Sequence, residues 1–325
     1  MEAMTALYIL LLALAVDHLL GEPPAALHPV VWMGGYLKQV GDMFAPAEGE
    51  PIRSGNRTAF WHGVVAWVAG AGLFAGPAWL LQSLILHAGW WAVLLLGLLL
   101  KPMLAWRMLR REVAAVELAL ATSLEMGRAQ LARLVSRDVS QLGASEVRES
   151  AIESLAENLN DSVVAPLFWF VLAGLPGAVL YRFANTADAM WGYHGARSGR
   201  EWEWAGKWAA RADDVLSWLP ARITAVAIAM VARRIRLPEL AAQAAHTPSP
   251  NSGWPMGAMA LALGVRLAKP GVYVLNDGAR APVAADTARA IRLAWYALGA
   301  CVAPVALALM LAALWAEHAN LWRFT

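Results

Sequence analysis

The sequence has few charged residues, and this shortage limits the class of protein that it can encode. Only 15% of its 325 residues are Asp, Glu, Lys or Arg, whereas 59% are hydrophobic, and soluble domains carry about 25% charged residues. The net charge of +2 is small, and the basic residues are interspersed with acids, which argues against nucleic acid as a partner. The composition therefore predicts an integral membrane protein with the lipid bilayer as its solvent.

Several well-known site motifs are also missing. The chain has one cysteine, Cys301, which cannot form an intramolecular disulfide and lies in an apolar run where core packing is the expected role. The sequence contains no Gly-x4-Gly-Lys-Ser/Thr loop, no His-Glu-x-x-His motif and no Gly-x-Ser-x-Gly motif. A nucleotide would therefore not be held by a P-loop, and neither a zinc site nor a serine hydrolase is supported.

Apolar runs suited to a membrane recur along the whole chain. Crossing about 30 Å of hydrocarbon takes about 20 apolar residues in a helix. We predict an all-α polytopic membrane protein with about five to seven membrane segments, organised as a single catalytic domain over residues 1–325. The candidate segments are Thr5–Leu20, Phe60–Leu86, Trp90–Trp106, Val163–Tyr181, Pro220–Val231 and Leu293–Trp315.

Four polar segments lie between these runs, at residues 17–59, 107–162, 182–222 and 246–267. The second reads as helix, because apolar residues recur in it at three- and four-residue spacing. Its many arginines predict a cytoplasmic position. In the last segment we predict a small-residue helix over Gly257–Leu267.

The path of residues 163–181 decides on which side the polar segments lie. A complete span would place residues 182–218 on the opposite side of the membrane from 107–162. The run Gly174-Leu175-Pro176-Gly177 breaks helices, however, and membranes tolerate a broken helix where protein or a cavity covers its backbone. The sequence leaves a span and a re-entrant segment equally open.

A carboxylate-rich motif ends the second polar segment. In a helix Glu157 and Asp161 are four residues apart, as are Asn158 and Ser162, so each pair is adjacent. Two adjacent carboxylates repel each other unless a cation lies between them, and an all-oxygen set suits Mg²⁺ bound together with a substrate phosphate. A solvated helix end explains the same residues, and this motif alone slightly favours that interpretation.

Two motifs are rich in ionisable groups near an apolar run. Asp17-His18 ends the first run and precedes Glu22 and His28, and such groups at membrane depth mark either a site or a polar helix end. Arg182 and Asn185 fall on one helical face, where the guanidinium suits forked contact with phosphate or simply marks a membrane boundary.

Two further motifs are each open to two interpretations. Lys207, Arg211 and Asp214 share a helical face, which predicts either a binding site or a surface salt-bridge face, and this motif alone slightly favours the salt-bridge face. The turn that contains Ser249 and Asn251 can present polar groups to a ligand or serve as a linker.

Taken in order, these motifs resemble those of the adenosylcobinamide-phosphate synthase family (CobD/CbiB) of cobalamin biosynthesis. The resemblance covers roughly residues 17–267. Three runs carry most of it: Glu153-Ser154-Leu155-Ala156-Glu157-Asn158 followed by Asp161-Ser162-Val163-Val164-Ala165-Pro166, Asn185-Thr186-x-Asp188-x-Met190-x-Gly192-Tyr193, and Ser249-Pro250-Asn251-x-Gly253-x-Pro255.

The resemblance implies an amide-forming ligase. It would join a corrin propionate of adenosylcobyric acid to aminopropanol phosphate or a related amino alcohol, with ATP as co-substrate and Mg²⁺ as cofactor. The residues implied are Glu157, Asp161, Asp188 and His28 for catalysis, Asp161, Asp213 and Asp214 for metal, and Arg182, Asn185, Lys207, Arg211, Arg222, Asn158, Asn251 and Ser249 for substrate or phosphate.

The resemblance also implies a multi-pass protein of the bacterial cytoplasmic membrane, working as a homo-oligomer or with other late cobalamin-pathway membrane proteins. Met256 departs from the pattern, since many relatives are expected to carry an acid there, and the match is weak beyond Gly271. These departures leave the choice of amine open. A transporter with broken helices and a non-catalytic membrane sensor on the same scaffold are the alternative functions.

Overall fold

In the computed structural model, residues 1–49, 55–233 and 235–321 are described. Most of them are helical, which confirms the all-α prediction. The two short antiparallel hairpins are β1–β2 (Ala196–Arg197, Arg200–Glu201) and β3–β4 (Leu267–Lys269, Tyr273–Leu275). The helices are α1 (Ala3–Leu20), α2 (Pro29–Phe44), α3 (Gly55–Ile85), α4 (Trp91–Leu100), α5 (Trp106–Thr122), α6 (Leu124–Leu131), α7 (Ala144–Leu159), α8 (Ala165–Trp191), α9 (Lys207–Ala232), α10 (Leu237–Ala244), α11 (Gly253–Leu263) and α12 (Ala284–Leu321).

Within the described ranges, six helical stretches are long and apolar enough to cross a membrane. Each contains or closely overlaps one of the predicted segments, so the polytopic prediction is confirmed. The six stretches are Ala3–Leu20, Arg57–Ala88, Trp91–Thr122, Ala144–Trp191, Lys207–Ala232 and Ala284–Ala316.

The segment 107–162, predicted to be helical, is helical over most of its length and forms three helices, α5, α6 and α7. Ser123 ends α5, and its Oγ accepts a hydrogen bond from the Met126 N–H at 3.1 Å, which caps α6. The periodicity was informative within α5, where Leu109, Val113 and Val116 are buried.

The helix predicted over Gly257–Leu267 also has different bounds, since α11 runs over Gly253–Leu263. Gly264 ends it in the left-handed conformation, with φ 65° and ψ 40°, which glycine adopts without the strain of a Cβ atom. The chain is then extended from Leu267 as β3.

The chain divides into two compact units, each built from separated stretches of sequence. The first unit comprises Met1–Leu104 and Ala165–Leu216, and the second comprises Ala105–Val164 and Ser217–Thr325. In the first unit α1 packs against α4, and α8 packs against α2 and α3. In the second unit α7 contacts α5, α6, α11 and α12, which makes it the central helix. This division concerns packing, and the single catalytic domain stays a prediction.

The helix break predicted at Gly174–Gly177 is confirmed. Gly174 interrupts α8 with φ 70° and ψ −158°, and a Cβ atom there would collide with the Gln82 side chain. The Leu175 N–H next to the break donates to Gln82 Oε1 at 2.7 Å. A side chain of α3 thus covers the broken backbone, as burial in a membrane requires. Whether the segment spans or re-enters stays a prediction.

Candidate functional site

Helix α7 carries three acids at four-residue intervals, so they lie along one face. Glu149 is fully buried, and Arg266 Nη2 lies 3.1 Å from its Oε1. Glu153 is also buried, with Arg137 Nη2 at 3.2 Å from its Oε2. Glu157 is half-buried. The helix therefore brings carboxylates into the interior of the second unit, and each buried one has an arginine beside it.

A cavity of about 320 Å³ lies in the second unit beside this face. Three of the predicted site residues line it together: Glu157 and Asn158 from α7, and Ser249 from the turn before α11. The sequence separates these residues widely, and the structure brings the first and third family-like runs to one place. This cavity is the candidate active site.

Four other ionisable side chains line the cavity, and sequence reasoning did not select them. They are Arg137, Glu153, Lys269 and Tyr273. Arg137 Nη2 donates to Ser150 Oγ at 2.7 Å and to Glu153 at 3.2 Å, which fixes the guanidinium in the wall. Arg137 lies in the run Ser136-Arg137-Asp138-Val139, which stands where the resemblance implies a Gly-Arg-Asp-Thr-like run, and this departure was the available signal.

Tyr273 closes part of the cavity from β4. Burial, followed by the negative charges of Glu153 and Glu157, raises the pKa of the Tyr273 hydroxyl. The residue therefore stays protonated and offers an O–H donor to the site. Its hydroxyl also lies 3.7 Å from the Sδ atom of Met256, the position where the resemblance implies an acid in many relatives.

The helix widens three residues after Glu157. Asn160–Val164 forms a π-helix that includes Asp161 and Ser162. Pro166 has no N–H to donate to the Ser162 carbonyl, and the Ala105 N–H donates there instead at 3.0 Å. Single π-turns inside helices are frequent at functional sites.

Asn158 and Ser162 are in contact across the start of the π-helix, and the adjacency of Glu157 and Asp161 stays a prediction. The predicted proximity of Asn158 and Ser162 is retained, because the Ser162 hydroxyl donates to Asn158 Oδ1 at 3.4 Å. Asp161, whose Oδ1 accepts a hydrogen bond from Asn160 Nδ2 at 2.8 Å, is not part of the cavity lining. Glu157 and Asn158 thus share one cavity with Ser249.

Arg222 and Asn251, both predicted to bind substrate, meet in the second unit. Arg222 Nη1 donates to Asn251 Oδ1 at 2.8 Å and Nη2 donates to the Pro250 carbonyl at 3.1 Å. Ser249 Oγ in turn accepts from the Asn251 N–H at 3.2 Å. Arg222 therefore positions the turn that carries Ser249 into the cavity wall.

The other predicted residues of the polar segment 182–222 belong to the first unit. Asn185 Nδ2 donates to Asp213 Oδ1 at 3.3 Å, which joins α8 to α9. Lys207 Nζ lies 3.6 Å from Glu203 Oε1 and over the ring of Trp204. The remaining members in this unit are Arg182, Asp188, Arg211 and Asp214.

A second group of charges lies in the first unit around Lys101, which sequence reasoning missed. Its Nζ atom lies 3.4 Å from Oδ1 of the fully buried Asp17 and 2.7 Å from Glu22 Oε2. Lys101 is the one charged residue of the predicted span Trp90–Trp106, and a lone charge in such a run was the available signal.

His28 contacts the same group. Its Nε2 lies 3.1 Å from Glu22 Oε2, and its Nδ1 accepts the Val30 N–H at 3.3 Å, which caps α2. Burial of Glu22 opposes its ionisation, but the hydrogen bonds from His28 and then Lys101 prevail and lower the pKa of Glu22. The role of His28 toward substrate stays a prediction.

A metal ion is often held by a group of His, Cys, Asp or Glu side chains. Among the described residues, no group of three or more His, Cys, Asp or Glu side chains is arranged to hold one. Mg²⁺ in enzymes often takes only one or two carboxylates and completes its shell with phosphate and water. The predicted ligands Asp161, Asp213 and Asp214 stay a prediction.

The chain is similar to one family of proteins over nearly its whole length. The family described as CobD/Cbib protein matches residues 10–315. The chain belongs to this family. This confirms the resemblance inferred from the motifs.

Relatives come from bacteria and archaea. The cobalamin biosynthesis protein CobD of Stutzerimonas stutzeri is 42% identical over 296 residues, which cover 88% of this chain and 92% of the relative. The probable cobalamin biosynthesis protein CobD of Methanothermobacter thermautotrophicus is 39% identical over 280 residues, covering 84% and 88%. No solved structure matches the chain. Membership of this family supports a role in cobalamin biosynthesis for a multi-pass membrane protein.

Proposed function

We propose that the protein forms the amide bond between a corrin propionate of adenosylcobyric acid and the amine of aminopropanol phosphate or a related amino alcohol. The product would be adenosylcobinamide phosphate. One observation carries the proposal: two runs that mark the family, 153–158 and 249–255, contribute side chains to the same cavity. Family membership supports the pathway, and the cavity supports the chemistry.

The size of the cavity suits the smaller substrate. At about 320 Å³ it lies at the lower end of the range for ligand pockets, about 300–1,000 Å³. It therefore fits an amino-alcohol phosphate, while the much larger corrin ring would present only its propionate at the opening. Holding two reactants in this way lowers the entropic cost of their reaction.

The charges of the cavity suit a substrate that is cationic at one end and anionic at the other. The carboxylate of Glu157 favours an ammonium group, and because Glu157 is half-buried, it would take a proton from that group to release the nucleophilic amine. Arg137 and Lys269 favour the phosphate. Asn158 and Ser249 would orient the substrate by hydrogen bonds.

Carboxylate activation requires an energy source, and we propose ATP with Mg²⁺ for that step. Transfer of a phosphoryl group to the propionate would give an acyl phosphate, which the amine then attacks with loss of phosphate. We further propose the bacterial cytoplasmic membrane as the location, where the protein works as a homo-oligomer or with other late enzymes of the pathway.

The test is product formation by the full chain purified in detergent with adenosylcobyric acid, aminopropanol phosphate and MgATP. Mass spectrometry should detect the amide product. Glu157→Gln should lower kcat by about tenfold to a thousandfold, as expected for loss of a charged catalytic group. Glu125→Gln is the matched control, since Glu125 is exposed on α6. A folded wild-type protein that makes no product would refute the proposal.

The broken helix α8 is a feature that favours a transporter. Discontinuous helices in transporters expose backbone groups to a substrate pathway. Here the Leu175 N–H donates to Gln82 Oε1, so this backbone group has a partner without a transported ligand. ATP-independent uptake of a corrinoid into proteoliposomes, with no amide formed, would reverse this preference.

A further inference from the structure

The first unit contains a cavity of its own, of about 440 Å³. It lies among α2, the end of α8 and the β1–β2 hairpin. Its charged lining residues are Lys38, Asp42, Arg197 and Arg200. Nothing in the proposed amide-forming site uses these residues, although Tyr193 of the second family-like run also lines this cavity.

The hairpin places two arginines opposite each other. Ser198 and Gly199 form its two-residue turn with φ of 52° and 76°, the positive values that a tight hairpin turn requires. The strand register then pairs Arg197 directly with Arg200. Like charges at directly opposite positions destabilise a strand pair. An unfavourable pair of like charges that a fold retains often marks a functional position.

Contacts within the unit hold both guanidinium groups at the cavity. Arg200 Nη1 donates to the Ala45 carbonyl at 3.0 Å, and its Nε lies 3.9 Å from Asp42 Oδ1. The Arg197 guanidinium lies 3.8 Å from the centre of the Tyr193 ring. These contacts fix the two arginines in position, and the only negative charge among them is that of Asp42.

The balance of charge in this cavity is positive. Among its lining residues, Lys38 from α2 joins the two arginines, and three cations thus face the single carboxylate of Asp42. By comparison, the cavity of the second unit has Arg137 and Lys269 against two glutamates. The first cavity therefore attracts a polyanion more strongly than the second does.

The apolar side of the cavity is made of aromatic residues. Trp191 and Trp202 stack with their rings 13° from parallel and their centres 6.0 Å apart, and the Trp191 indole N–H donates to the Leu37 carbonyl at 3.1 Å. This wall is rigid, because it is buried and hydrogen-bonded. It would exclude water from one side of a bound anion and so strengthen its contacts with the cations.

We propose that this cavity binds a phosphate-bearing ligand through Arg197, Arg200 and Lys38. Guanidinium groups suit phosphate because they form paired, charge-assisted hydrogen bonds, and the ammonium adds a third charge. The phosphate belongs either to a soluble compound such as a nucleotide or to the headgroup of an anionic phospholipid. The proposal rests on the first unit alone and is independent of amide formation.

The first experiment measures binding of radiolabelled ATP and pyrophosphate by equilibrium dialysis. The full chain is held in nanodiscs of phosphatidylcholine, which supplies no anionic headgroup. Arg197→Gln and Lys38→Gln should each weaken binding about tenfold or more, the effect expected for one lost charged contact. Arg111→Gln, at an exposed position of α5 in the second unit, should bind like the wild type.

The second experiment identifies the lipid that remains with the protein purified from a native membrane. Retention of anionic phospholipid by the wild type and the Arg111→Gln variant, and its loss from Arg197→Gln, would assign the phosphate to a headgroup. Binding of ATP or pyrophosphate in the nanodiscs that Arg197→Gln and Lys38→Gln weaken, while Arg111→Gln does not, would assign it to a soluble compound. If the wild type binds neither, or if the cavity variants match Arg111→Gln in both experiments, the proposal is refuted.

Thermal unfolding separates a binding role from a structural one. Without ligand, Arg197→Gln should unfold at the wild-type temperature or above it, because the change removes repulsion from Arg200. Addition of ligand should raise the midpoint of the wild type and not that of the variant, since a ligand stabilises only the state that binds it. A lower midpoint for the ligand-free variant would mean that Arg197 serves the fold.

Discussion

Lys101→Met should destabilise the first unit more than a typical substitution does. Lys101 is 4% exposed and lies 3.4 Å from a carboxylate oxygen of Asp17, which is 0% exposed, and 2.7 Å from one of Glu22. Methionine fills nearly the same volume, so packing is largely kept while the buried acids lose their cation. Removal of one partner from a buried ion pair costs about 3–5 kcal/mol.

The measurement is reversible unfolding in SDS–detergent mixtures, followed by circular dichroism at pH 7. Arg111→Met is the control, because that arginine is exposed and its loss should change the free energy of unfolding by about 0.5 kcal/mol or less. Adding Asp17→Leu to Lys101→Met should recover part of the loss, since it removes the carboxylate left without its cation. A Lys101→Met variant within about 1 kcal/mol of the wild type would refute the reasoning.

The pH dependence gives an independent check. The hydrogen bonds from His28 and Lys101 hold the pKa of Glu22 below its ordinary value, in spite of burial. The stabilisation from Glu22 is therefore present above the pKa of the unfolded chain and is lost as pH falls through the lower, folded-state pKa. In Lys101→Met the folded-state pKa should rise, so acid destabilisation should begin at a higher pH than in the wild type.

Three further predictions concern single contacts. Gln82→Leu should lower the free energy of unfolding by about 1–3 kcal/mol, because the Leu175 N–H loses its acceptor. Unfolding in SDS measures this loss, and the control Ser83→Ala should unfold like the wild type. Arg222→Lys should speed proteolysis of the turn at Asn251, since lysine cannot keep both hydrogen bonds of the guanidinium. Tyr273→Phe should lower activity without altering the pH–rate profile, because the raised pKa keeps the tyrosine protonated throughout.

The membrane segments were predictable because a long apolar run has few alternatives. All six candidate segments recur as helices, and the break at Gly174 follows from the chemistry of glycine and proline. The boundaries of the polar helices were harder to predict from the sequence. The cap at Ser123 and the left-handed residue Gly264 end helices locally, and a periodic pattern continues past such positions without showing them.

The candidate site was predictable in part. Family-like runs identified Glu157, Asn158 and Ser249, which do line one cavity. They did not identify Tyr273, whose importance arises from its position on β4 beside two acids of α7. Lys101 was missed for a related reason: its partners are far away in the sequence, and only the packing of α4 on α1 brings it to Asp17.

The stripe of acids on α7 shows how burial separates structural carboxylates from chemical ones. Glu149 and Glu153 are buried, and arginines from outside the helix lie within 3.2 Å of them, so these acids attach other segments to α7. Glu157, one turn further on, is half-buried and lines the cavity, where an ammonium group or Mg²⁺ can reach it. Like charges at this spacing weaken a helix by about 0.2–0.5 kcal/mol per pair. Arg266 and Arg137 offset that repulsion at Glu149 and Glu153. A cationic group bound at Glu157 would neutralise the third carboxylate in the same way.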